Sequence, residues 1–205
     1  MARQAGASLP LKKRLWQQIV KAKVKAQASL LKLVRGKDEG LGIMARQIRS
    51  GDEGNLEAQA ARRYWRALIG DPEFRRDREA DDANRFLNYG YAVLRAQVAR
   101  SLCACGLHPA LGLQHHNKYS NFPLADDLME PYRPFVDAVV VQLLNSHEAK
   151  AKMSQEIRGE LLGVLHTRIS MEKESLRLSH AVLKSAQSLA AALTGNTKKL
   201  IFPDT

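Results

Sequence analysis

The densest chemistry in this chain lies between Gly112 and Pro134, which reads G-L-Q-H-H-N-K-Y-S-N-F-P-L-A-D-D-L-M-E-P-Y-R-P. Two adjacent histidines, His115 and His116, and three carboxylates, Asp126, Asp127 and Glu130, stand between glycine and proline punctuation. A helix opening near Pro123 would put Asp126 and Asp127, four and three residues before Glu130, on one face with it. Imidazole and carboxylate donors without a thiolate suit Mg²⁺ or Mn²⁺, or a zinc site with open positions. A plainer reading fits the same residues. Acids at a helix start complement its dipole, and loop histidines can be ordinary polar groups.

A second carboxylate, Glu57, draws attention through its position. A helix is expected from about Asn55 to Ile69, stopped by Gly70-Asp71-Pro72, with Ala61, Tyr64 and Leu68 on its apolar side. Glu57 falls on that inward side, where a carboxylate needs a cation or hydrogen bonds because burying it alone is costly. A metal would meet that need, and so would an ion pair with Arg62 or Arg66. Glu53 reads as solvated.

The elements that must position these groups all carry helical periodicity. Pro10 opens a long helix ending before Gly36, with Leu15, Trp16, Ile19, Val20, Val24, Leu30, Leu31 and Val34 as its apolar stripe. Leu41 to Ile48 makes a short helix closed by Gly51. The mixed-charge run from Glu73 to Asp82 reads as an exposed loop. From Asp82 a helix runs to Cys105 with Leu87, Tyr91, Leu94, Val98 and Leu102 at spacings of three and four, and it is the expected central element. Helices are further expected over Pro123 to Glu130, Pro134 to Leu144, about Ser154 to Ile169, and Met171 to Leu193. The stripe of the last is Leu178, Val182, Ser185, Leu189 and Leu193. The tail K-K-L-I-F-P-D-T carries no clear signal. No segment alternates convincingly with period two, so the expected fold class is all-α, a single helical domain over residues 1–205.

Length and composition agree with one soluble globular domain: 205 residues, 45% hydrophobic and 26% charged. No apolar run approaches the roughly 20 residues that span a bilayer. Cys103 and Cys105, two apart in a helical pattern, point to different sides and are not expected to bridge, which suits a reducing cytoplasm. The charge is unevenly placed. Of a net +11, nearly all sits in the first 37 residues, which hold ten Lys or Arg and no Asp or Glu. Such asymmetry points to a polyanion, most simply a nucleic-acid backbone, with Lys21, Lys23 and Lys25 expected on its track. A basic helix on anionic lipid, or a solvated tail, is the alternative.

The 112–134 stretch also resembles the signature of the CRISPR-associated integrase, the endonuclease that inserts new spacers during adaptation, in the form found beside single-effector systems. L-N-Y-G-Y-A-V-L (87–94), G-N-L-E-A-Q-A-A-R-R-Y-W (54–65) and K-K-R-L-W-Q-Q-I-V (12–20) resemble that family in the same order. Family members carry an N-terminal β-rich domain, whereas this chain opens where the helical domain would begin. It therefore reads as a natural short version or as the helical catalytic domain alone.

The resemblance implies a metal-dependent DNA integrase and endonuclease of antiviral defence, in which a DNA 3′-hydroxyl attacks a phosphodiester at a repeat boundary. Carried over by motif, the metal ligands and catalytic residues would be Glu57, His115 and Glu130, with Mg²⁺ or Mn²⁺ as cofactor. His115 follows from counting G-x-x-H from Gly112, and His116 is the second choice. Asp127 and His116 would be auxiliary, and Lys118 and Arg133 would join the basic lysines as DNA contacts, unless Arg133 serves a structural ion pair. Implied partners are double-stranded DNA, a second copy of the chain or a higher homo-oligomer, and a small partner adaptation protein, in a prokaryotic cytoplasm without a membrane. A DNA-binding scaffold of the same fold that no longer integrates is the alternative, because the β-domain normally supplies much of the dimer.

Overall fold

The computed structural model describes residues 2–52, 54–77, 79–114 and 121–204. Nine α-helices are described: α1 (Ala2–Ala5), α2 (Leu9–Arg35), α3 (Leu41–Gln47), α4 (Leu56–Ile69), α5 (Asn84–Ala104), α6 (Pro123–Met129), α7 (Arg133–Ser146), α8 (Gln155–Gly163) and α9 (Leu178–Leu193). Short 3-10 turns at Glu130–Tyr132 and Val164–His166 and one hairpin, β1 (Arg168–Met171) with β2 (Glu174–Arg177), complete it. The fold is helical, as its periodicity required. Among the described residues no helix is long and apolar enough to cross a membrane.

Two helices organise the rest. The expected central helix, α5, packs against α6, α7, α8 and α9, with Phe86, Leu87, Leu94, Val98 and Leu102 fully buried. Gly90 sits on its inner side, where an added Cβ would collide with Val136 of α7 and touch Leu161 of α8. That close approach needs a residue without a side chain. The long basic α2 packs against α3, α4, α7 and the Glu130–Tyr132 turn. It ends at Gly36, whose left-handed backbone (φ 79°) returns an N–H to the Lys32 carbonyl. So α2 faces both segments that carry the expected carboxylates.

Two expectations need correction, and the tail, which carried no clear signal, takes a definite place. Residues 168–177 are not helical. Glu172 and Lys173 both adopt positive φ (53° and 66°), the two-residue hairpin turn matched to strand twist, and α9 begins only at Leu178. Non-glycine residues in that turn masked the usual signal, leaving only the alternate burial of Ile169 and Met171. The charged 73–82 run is not simply exposed either. Phe74 is buried, and Arg76 hydrogen-bonds Asn84 and Asn88 while its guanidinium lies 5.3 Å from the Tyr91 ring centre. Finally, the tail is tied down. Leu200 and Ile201 donate backbone N–H groups to Gln18 and Ser188, and Leu200 is buried.

Candidate metal centre

Glu57 stands in the first turn of α4, and the chain before it fixes its backbone. Asp52 accepts the Leu56 N–H at 3.0 Å and the Glu57 N–H at 2.9 Å, satisfying two amides that a helix start leaves free. Glu130 stands where α6 passes into the 3-10 turn, 3% exposed. The α6 start is braced by the Leu124 N–H donating to the Pro109 carbonyl at 2.8 Å. Glu57 and Glu130 are distant in sequence and come together across α2.

Their meeting point is Lys23. Its Nζ lies 2.8 Å from Glu57 Oε1 and 2.7 Å from Glu130 Oε2, and only 13% of the side chain is exposed. Burial alone would lower the Lys23 pKa, but Glu130 and Glu57 outweigh it and raise the value above that of an ordinary lysine. The other Glu130 oxygen, Oε1, pairs with Arg133 Nη2 at 3.0 Å. Arg133 in turn lies 4.7 Å over the Tyr91 ring. Two carboxylates therefore face two cations in a closely balanced cluster.

Behind the cluster is a third acid. Asp137 on α7 is 1% exposed and accepts hydrogen bonds from Tyr64 at 2.6 Å and Tyr91 at 2.5 Å. Burial raises its pKa to about 6, against the opposing pull of the two tyrosine hydrogen bonds and of Arg133 and Arg76. The same burial, with the Asp137 charge, pushes both tyrosines well above their ordinary value. Glu130 and Asp137 both border a cavity of about 250 Å³, whose lining also includes Lys23, Gln27, Trp65, Arg76 and Arg133.

The expected residues divide as follows. Glu57 and Glu130 converge. Asp127 is fully buried and accepts the Leu113 N–H at 2.6 Å and the Gln114 N–H at 3.2 Å, so it holds the backbone just ahead of His115. His115, His116 and Lys118 lie outside the described residues. Among the described residues no three His, Cys, Asp or Glu side chains gather closely enough to hold a metal. Two Glu oxygens drawn onto one cation nonetheless form a hard donor pair of the kind divalent ions take, and the residues present fit such an ion.

The lysines expected to track DNA separate. Lys25 is exposed and Lys21 half-buried, whereas Lys23 turns inward, which corrects its reading as an open phosphate contact. The cause is its register on α2. Residues three and four away on either side, Ile19, Val20, Ala26 and Gln27, are all buried, so Lys23 lies on the core-facing seam. That pattern was available in the sequence, hidden by the even spacing of K-A-K-V-K. Arg133 makes the structural pair with Glu130 that was the alternative to a DNA contact, and the partner of Glu57 is Lys23 rather than Arg62 or Arg66.

Residues 3–173 match the family model described as CRISPR associated protein Cas1. A protein of Neisseria meningitidis serogroup C (strain 8013), named CRISPR-associated endonuclease Cas1, is 42% identical over 98% of this chain, which spans 66% of that relative. One from Pyrobaculum aerophilum, named CRISPR-associated endonuclease Cas1 2, is 44% identical over 46% of the chain, matching 32% of its own length. Among solved structures, a casposase bound to integration product superimposes with a TM-score of 0.80 at 22% identity, over 97% of this chain and 69% of that one. A CAS1 protein from Thermotoga maritima gives 0.79 at 18%, over 95% and 70%. The shared helical fold and the match over most of the sequence place this chain in the Cas1 family.

Proposed function

We propose that this chain is the helical catalytic part of a metal-dependent DNA integrase and endonuclease that inserts spacer DNA into a CRISPR array. The observation that carries the reading is the convergence of Glu57 and Glu130 on one cationic point. It is supported by the relatives named as endonucleases and by a structural neighbour captured with an integration product. Glu57, Glu130 and His115 would hold Mg²⁺ or Mn²⁺. The bound ion would lower the pKa of an attacking 3′-hydroxyl and stabilise the charge that builds on phosphorus oxygens.

The remaining work falls to the chain itself. Asp52 holds the backbone of Glu57, so this donor is positioned before substrate arrives, and Asp127 holds the backbone of Leu113 and Gln114. Arg133, stacked on Tyr91, pairs with Glu130 and holds that carboxylate at the edge of the cavity. In the reaction a new O–P bond forms from the 3′-hydroxyl as one O–P bond of the target strand breaks. The proton lost by the attacking hydroxyl is balanced by one gained on the leaving 3′-oxygen. One phosphodiester replaces another, so no external energy source is required. The exposed face of α2 would track the DNA backbone through Lys21 and Lys25, and a second copy of the chain and a small partner protein would complete the assembly. Neighbours solved as Cas6-RT-Cas1–Cas2 complexes support that last expectation.

Strand transfer of a short duplex into a repeat-bearing target is the direct test. It is expected with Mn²⁺ or Mg²⁺, and it should be lost with chelator and in Glu57→Gln and Glu130→Gln. Tight DNA binding without metal-dependent strand transfer would instead identify a scaffold.

A further inference from the structure

Lys23 is the one charged side chain that reaches both converging carboxylates among the described contacts, and it comes from neither of their elements. Its nitrogen stands 2.7 and 2.8 Å from the two glutamate oxygens that face each other. Divalent-ion bonds to carboxylate oxygens are shorter, about 2.1 Å. An ammonium and a divalent ion therefore cannot both occupy the space between that oxygen pair, and two like charges there would repel strongly.

A second resting place for the ammonium lies within reach. Gln27 is one helical turn further along α2 and lines the same cavity as Lys23. It is 4% exposed, and its Oε1 is buried without a hydrogen-bond partner. An unmet buried acceptor carries a real penalty and is uncommon. A lysine displaced from the glutamates would satisfy it without leaving the protein.

We propose that Lys23 is a resident counter-cation with two positions. It holds Glu57 and Glu130 together while no divalent ion is bound, and it is displaced toward Gln27 when one binds. The inference rests on the reading of Glu57 and Glu130 as metal ligands. It makes metal loading an exchange of cations rather than a simple addition, and it explains how two facing glutamates stay folded against each other in advance of the ion.

The test is Mn²⁺ binding by calorimetry on the full 205-residue chain, with parent, Lys23→Met, Lys23→Arg and Glu57→Gln compared. Lys23→Met should bind Mn²⁺ more tightly, by about tenfold or more, because a competing unit charge is gone. Lys23→Arg should stay near the parent, and Glu57→Gln should lose the site. If Glu57→Gln binds Mn²⁺ like the parent, the metal-ligand reading itself fails. If Glu57→Gln loses binding but Lys23→Met binds no tighter than the parent, the exchange alone is overturned. Should Lys23→Met not fold, the parent still decides the matter. With lysine side-chain nitrogens labelled with ¹⁵N, and Lys23→Arg giving the assignment, the Lys23 ammonium resonance should shift on titration with Mg²⁺. A resonance unmoved at saturating Mg²⁺ overturns the exchange.

Discussion

Asp127 accepts the Leu113 amide at 2.6 Å, which joins the body of α6 to the Leu113-Gln114 backbone. The acid is fully buried, so the bond is shielded from water and fixes that backbone against α6. Asp127→Ala would leave the Leu113 and Gln114 amides without this acceptor and should cost on the order of 1–3 kcal/mol in a denaturant titration. Asp127→Asn keeps an acceptor oxygen and should cost less. Strand transfer should fall further in the alanine variant than in the asparagine one. Equal stability and activity in both would show that the tether is idle.

The acid behind the site makes a pH-dependent contribution of known sign. Burial raises the folded-state pKa of Asp137 to about 6, well above that of an ordinary aspartate. The folded chain thus holds a proton that the unfolded chain has released, and stability from this group declines as pH rises from roughly 4 to 6. The full swing is on the order of 3 kcal/mol, from about two units at 1.36 kcal/mol each. Asp137→Asn removes the titration and keeps an acceptor for one tyrosine. The melting temperature of the variant relative to the parent should therefore climb between pH 4 and pH 7 and level off above. A constant difference across that range would rule out the shifted carboxyl.

How much of this was legible beforehand depended on the kind of signal. The apolar stripes of α2, α4, α5 and α9 could be read directly, because one periodicity and one buried face express the same packing. Glu57 was legible through its inward register, and Glu130 through its place after two acids and before a proline. What escaped was relational. Lys23 carries a side chain that composition assigns to solvent, and only its helical neighbours show that it must turn inward. Arg76 escaped for a similar reason, since a charged run suggests water until Trp65 and Tyr91 are seen beside it. The hairpin at Glu172-Lys173 lacked the glycine or asparagine that normally announces such a turn.

Packing between α5 and α7 turns on a single hydrogen atom. Gly90→Ala improves helix propensity by about 1 kcal/mol. It also drives a methyl group into Val136, a fully buried residue on the facing helix. Overpacking of this kind typically costs about 1–3 kcal/mol, so a net loss of stability is expected. Val136→Ala in the same chain should recover part of the loss, giving a favourable coupling in a double-mutant cycle. Additive effects would mean that the two residues do not touch.

The exposed face of α2 should supply sequence-independent DNA affinity, and its two outward lysines can be separated from the inward one. Lys25 is exposed and Lys21 half-buried on that face, so both are placed to meet phosphate oxygens. Changing both to glutamine should weaken binding to any duplex. It should also reduce the slope of log K against log salt by up to about 2, since each phosphate contact contributes roughly 0.9. Lys23→Gln should leave that slope nearly unchanged in metal-free buffer, because its ammonium faces Glu57 and Glu130 rather than solvent. Fluorescence anisotropy over a range of NaCl concentrations measures all three. If Lys23→Gln lowers the slope as much as a surface lysine does, the ammonium reaches DNA directly; if the Lys21 and Lys25 pair does not lower it, the DNA track runs over another face.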